Sequence, residues 1–126
     1  MKIQIIGFVI LAAFSIFLLR NAQAQDKLAP EIALKKVAAG ALLLDVRSPE
    51  EFSSGHVDGA INIPHDQISA RVGELLKYKD KEIVLYCRSG HRSGLAHAEL
   101  TKDGFKTTYN AGGLSGLQSA GAKVVP

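Results

Sequence analysis

The sequence predicts an α/β domain: a parallel sheet of four or five strands with helices on both faces. Three observations predict it. Short β-branched and aromatic runs alternate with helical patterns along the chain, the order that builds parallel strands joined by crossover helices. Two of those runs, Ala41 to Val46 and Glu82 to Tyr86, are nearly continuous in apolar residues, as strands covered on both faces are. Residues 25–126 suffice for one compact domain and not for two.

Residues 1–24 stand apart. Lys2 gives a short positive start, Ile5 to Leu19 is almost wholly apolar, and Ala22 and Ala24 form the small-x-small pattern of a signal peptidase site, with cleavage expected before Gln25. The apolar core is shorter than the roughly 18 or more residues of a membrane-spanning helix. It therefore reads as a secretory signal, and the domain is expected in the periplasm. Arg20, directly after the apolar core, is unusual for a cleaved signal and leaves retention as an inner-membrane anchor open. No cysteine follows that would carry a lipid. Without Lys2 and Arg20 the formal charge falls from +3 to +1, so nothing suggests nucleic-acid binding. A single cysteine forms no internal disulfide, and exporting a lone thiol to an oxidising compartment mildly favours a function for it.

Gln25 to Ala29 reads as a disordered lead. Pro30 suits the first position of a helix to about Ala39, with Gly40 as its stop. Ala41 to Val46 is a buried strand broken only by Asp45, and Ser48 and Pro49 open a short helical turn through Phe52. Two glycines mark a loop before the short strand Ala60 to Ile63, which Pro64 closes. Ile68, Val72, Leu75 and Leu76 fall at helical spacing after Asp66, a candidate cap. Then come the strand Glu82 to Tyr86, a helix from Ser93 to Lys102, a strand near Thr107 to Tyr109, and a weak helical turn before a small-residue tail.

Between the third of these strands and its helix lies CRSGHRS, Cys87 to Ser93. A lone cysteine ending a strand is most often a small buried hydrophobe. The loop after it argues otherwise. Arg88, Ser89, Gly90, His91 and Arg92 are small, polar or basic, so the backbone can curl round the sulfur and turn N–H groups inward at a helix N-terminus. The dipole and the charges of Arg88, Arg92 and protonated His91 favour thiolate, the nucleophilic form.

Three segments resemble the rhodanese family. LLLDVRSPEEFSSGHVDGAINIP, Leu42 to Pro64, is similar to the family's first signature, CRSGHRS to its second, and GFKTTYNAGG, Gly104 to Gly113, to its closing segment. Their order and spacing cover nearly all of residues 25–126, and the likeness is to the small, periplasmic, single-domain type. The resemblance implies a rhodanese-like fold and a sulfurtransferase. Cys87 would take the outer sulfur of thiosulfate as a persulfide and pass it to cyanide or a thiol, with no metal or organic cofactor, as a monomer whose partners are small molecules. Arg88, Ser89, Gly90, His91, Arg92 and Ser93 would bind the substrate. Two departures stand out. Almost no residues precede the first helix to make the family's usual first strand, and Leu117 stands where a tryptophan is common.

Other signature positions carry smaller roles. Asp45 either tunes the loop or, the commoner arrangement, pairs with Arg47 or caps a nearby turn. Arg47 and Glu51 suit a structural ion pair, His56 a hydrogen-bonded scaffold, and His65 and His97 lack the spacing of metal ligands. Ser93 either donates to the thiolate or opens the helix. Two rival functions remain. A sulfur carrier would hand its persulfide to one protein partner. A cysteine-dependent phosphatase would need five residues between Cys and Arg, whereas four separate Cys87 from Arg92, and no neighbouring Asp motif offers a general acid.

Overall fold

The computed structural model describes residues 27–126, and the expected signal segment lies outside them. Four strands form one sheet in the spatial order β3 (Ile61–Asn62), β1 (Leu42–Asp45), β4 (Glu82–Cys87) and β5 (Thr107–Gly113), and every pairing is parallel. The two longest expected strands thus lie at the centre. A bridge between Lys27 and Asn110, with the Leu28 N–H donating to the Asn110 carbonyl at 3.0 Å, marks where a fifth strand would begin. Lys27 and Leu28, in the lead expected to be structureless, are tied to β5 because that edge offers unpaired backbone groups.

Side chains alternate across the sheet, and the two faces build two cores. Leu44 and Val46, with Ile83, Leu85 and Cys87, pack against Ile68 and Leu75 and against Ala96 and Leu100 of α4 (His91–Lys102). Leu43, Val84 and Tyr86 face the other way, onto Ala33 of α1 (Pro30–Ala38) and Leu117 of α5 (Leu114–Ser119). The expected helices on both faces are present. α1 begins at Pro30, with Glu31 in its first turn and Lys35 and Lys36 in its last, charges that complement the helix dipole. α2 (Pro49–Ser54) is fixed by a full capping box between Ser48 and Glu51.

The clearest helical pattern in the sequence folds differently. Asp66 does not cap it: His65–Gln67 form a 3-10 turn, α3 (Ile68–Arg71) is a single turn, and Val72–Tyr78 continue as 3-10 helix. Three residues per turn place Val72, Leu75 and Tyr78 on one line toward the core. Leu76, expected to be buried beside Leu75, is therefore 55% exposed. α4 starts at His91 rather than Ser93, because Gly90 makes the turn into it at φ +95°. The strand expected from Ala60 pairs only through Ile61 and Asn62. The small-residue tail adds an unforeseen antiparallel pair, β2 (His56–Val57) with β6 (Val124–Val125), which covers buried Val57.

Candidate active site

The alternation of β4 decides where the cysteine points. Ile83, Leu85 and Cys87 share one face, so the thiol lies on the α4 side, in line with the core and fully buried. Past the strand, Arg88 to Gly90 curl back over it. The Gly90 N–H donates to Cys87 Sγ at 2.9 Å, and Ser93 Oγ lies 3.4 Å from the same sulfur. Burial opposes the thiolate. The Ser93 hydroxyl and the backbone N–H groups of Ser93, Ser89 and Gly90 outweigh it, and the thiol sits below the usual cysteine range. The loop is thus the inward-turned cradle expected from its residues, with backbone donors and Ser93 close to the sulfur.

The loop is also pressed from behind. A Cβ on Gly113 would fall 2.1 Å from the Arg88 carbonyl oxygen, so the end of β5 approaches the loop backbone as closely as glycine allows. The register shift between β4 and β5, where Leu85 faces Asn110 but Cys87 faces Gly113, brings Gly113 opposite the cysteine.

The loop side chains divide between two clefts. Arg88 is exposed and lines one of about 660 Å³ with Arg47, Glu51, Leu114 and Val124. Ser89, Gly90 and His91 line another of about 580 Å³ with Lys27, Leu95 and Asn110. Arg92 is placed differently from a free substrate ligand: its guanidinium forks onto Glu51 at 2.6 and 2.9 Å and braces α4 against α2. That pair draws the Glu51 carboxyl down to about 2, chiefly through the Arg92 hydrogen bonds and against burial. Glu51 therefore pairs with Arg92 and not with Arg47.

Arg47 instead chelates Asp45, the commoner of the two arrangements expected for Asp45. Its Nη2 lies 2.7 Å from a carboxylate oxygen, Asp45 is fully buried, and a second donation reaches the Gly55 carbonyl at 2.6 Å. The guanidinium also sits 5.7 Å from the centre of the buried Tyr86 ring, whose hydroxyl accepts from the Val57 N–H at 3.0 Å. Burial of Tyr86 pushes its phenol above the usual range. This group is a floor beneath the site. His56 is a scaffold residue as expected, donating from Nδ1 to the Phe52 carbonyl at 2.8 Å and stacking on the Phe52 ring. Asn110 carries contacts that the sequence did not reveal, to Ser93, Gly90 and Gly112. Its only sequence signal was the NAGG tetrapeptide at a strand end.

A model of the Rhodanese-like domain family matches residues 26–120. The chain belongs to the rhodanese family. Among its relatives, the uncharacterized protein YqhL of Bacillus subtilis is 37% identical over 124 residues, spanning 96% of this chain and 95% of that protein. The thiosulfate sulfurtransferase PspE of Escherichia coli is 38% identical over 74 residues, covering 59% of this chain and 71% of that one. Among solved structures, a rhodanese with anions from E. coli superposes with a TM-score of 0.62 at 34% identity, covering 68% of this chain and 98% of that chain. The four-stranded parallel sheet is thus a rhodanese sheet, and Cys87 ends β4, one of its two inner strands.

Proposed function

We propose that the protein is a thiosulfate sulfurtransferase that carries sulfane sulfur as a persulfide on Cys87. The observation that carries this reading is the sulfur itself: a buried thiol, held below the usual cysteine range, with the Gly90 N–H 2.9 Å from Sγ. The relationship to PspE supports the donor, and the likeness to a rhodanese solved with anions supports an anionic one.

The chemistry takes two steps. The Cys87 thiolate attacks the outer sulfur of thiosulfate, a new S–S bond forms, and the old one breaks with its electron pair leaving on sulfite. Loop N–H groups and the exposed Arg88 offset the repulsion between thiolate and dianion. In the second step cyanide or an acceptor thiolate attacks the outer sulfur of the persulfide, and the displaced Cys87 thiolate is ready again. Splitting the transfer this way gives ping-pong kinetics. In this proposal the protein acts outside the cytoplasm after its signal is removed, a reading drawn from residues 1–24, and as a monomer, which the family resemblance implies.

Intact mass before and after thiosulfate treatment tests both parts. The expected result is a chain beginning at Gln25 that gains one sulfur, with no gain in Cys87→Ser. Full turnover by Cys87→Ser would sink the assignment. Hydrolysis of an aryl phosphate faster than thiosulfate turnover would favour the phosphatase reading, and a tight complex with one protein alongside poor small-molecule kinetics would favour the carrier.

A further inference from the structure

The side chain of Asn110 uses both ends of its amide on the cysteine loop. Its Nδ2 donates to the Gly90 carbonyl at 2.9 Å, while Oδ1 accepts from Ser93 Oγ at 2.7 Å and from the Gly112 N–H at 3.0 Å. The amide cannot be turned over. A flip would set an NH2 against the Gly112 N–H and an oxygen against the Gly90 carbonyl. Space is shaped to it as well: a Cβ on Gly94 would meet Nδ2 at 3.4 Å, and one on Gly90 would meet the amide atoms at 3.8 and 3.9 Å. The backbone of Asn110 is held in turn, since its carbonyl accepts from Leu28 at the sheet edge.

The Gly90 N–H and the Ser93 hydroxyl oxygen lie 2.9 and 3.4 Å from the sulfur. Gly90 has φ +95°, a conformation that glycine enters and leaves easily, so something outside the loop must hold it there. We infer that Asn110 is the positioning residue of the cysteine loop: its Nδ2 grips the Gly90 carbonyl and so keeps the Gly90 N–H on Cys87 Sγ, while its Oδ1 takes the single Ser93 hydroxyl proton and fixes Ser93 Oγ beside the sulfur. It never touches the sulfur. It acts through Gly90, whose N–H does. The use of that loop for sulfur transfer rests on the function proposed above, but the positioning itself does not.

The test is the pH dependence of Cys87 alkylation by iodoacetamide in the full chain. Asn110→Ala frees the Gly90 carbonyl, and in a Ser93→Ala background, where no released hydroxyl can turn to the sulfur, the alkylation midpoint is expected to rise by about one pH unit, roughly tenfold less thiolate below it. The charged groups around the loop, Arg88, His91 and Arg92 together with Asp45, Arg47 and Glu51, are unchanged in that variant. A folded Ser93→Ala/Asn110→Ala protein with the midpoint of its Ser93→Ala parent would overturn the inference. If circular dichroism shows that variant unfolded, Asn110→Ser in the same background, polar but too short to reach the Gly90 carbonyl, enters the same measurement with the same expected rise. Absence of a sulfur gain in wild-type protein would instead remove the sulfurtransferase reading, and the alkylation comparison would still judge Asn110.

Discussion

Gly90 combines two demands in one residue, a left-handed backbone at φ +95° and an N–H on the sulfur. An alanine there costs roughly 1–2 kcal/mol of backbone strain, and its Cβ would sit 3.4 Å from the Gly112 Cα. The strain is relieved by rotating the peptide, which takes the N–H off Sγ. Gly90→Ala is expected to lower thiosulfate turnover about tenfold or more while the protein stays folded; wild-type rates in a folded variant would show that the N–H is dispensable. The burial of Cys87 has a separate consequence. A sulfur with no exposed surface is reached only by what the loop admits, so iodoacetamide should outpace a bulky maleimide by far more in native protein than in urea-unfolded protein. Equal ratios in the two states would mean that the loop does not screen the thiol. Much of this residue was legible in the sequence, because strand, thiol, glycine and helix are contiguous. Its supports were not: Glu51 lies 41 positions from Arg92 and Asn110 lies 17 from Ser93, and no local pattern reports contacts at that separation.

Among the elements, α2 and α4 are joined by the Glu51–Arg92 fork, and Glu51 also closes the capping box of α2. The carboxyl is held near 2 against an ordinary value of 4.5, so between those limits the unfolded chain binds more protons than the folded one. The contribution of Glu51 is therefore fully present above about pH 4.5 and is lost as pH falls toward about 2. Both partners are about one-third exposed or less, and solvent screening keeps the pair to about 1 kcal/mol or less. Urea midpoints followed from about pH 5 to about pH 2.5 should fall less steeply in Glu51→Gln than in wild type; parallel curves would deny the fork any role in acid stability. Elements also show where sequence patterns mislead. Helical spacing of Ile68, Val72 and Leu75 fits a 3.6-residue turn, yet the same chain packs Val72, Leu75 and Tyr78 equally well at three per turn. Two-residue strands such as β2 and β6 are too short to leave a periodic signal at all.

At the scale of the molecule, the nearly continuous apolar strands announced a sheet buried on both faces, and the two cores on either side are its result. What alternation did not announce was the closure of the structure by its last residues. Val124 and Val125 pair with His56 and Val57, and the Asp58 N–H donates to the Lys123 carbonyl at 2.8 Å. Deleting Lys123 to Pro126 uncovers Val57 and frees these backbone groups, a loss of about 1 kcal/mol that should lower the melting temperature by roughly 4–8 °C. An unchanged calorimetric melt would show that the pairing adds no stability. The contact between Gly113 and Arg88 bears on how this enzyme can change over time. With the Arg88 carbonyl lying where a Cβ of Gly113 would stand, the cysteine loop has a strand at its back and no slack behind it. An inserted residue that enlarged the cradle for a bulkier anion would drive Arg88 into β5. A wider cradle therefore requires that strand to move with the loop, so substrate range here is set jointly by the loop and by the end of β5.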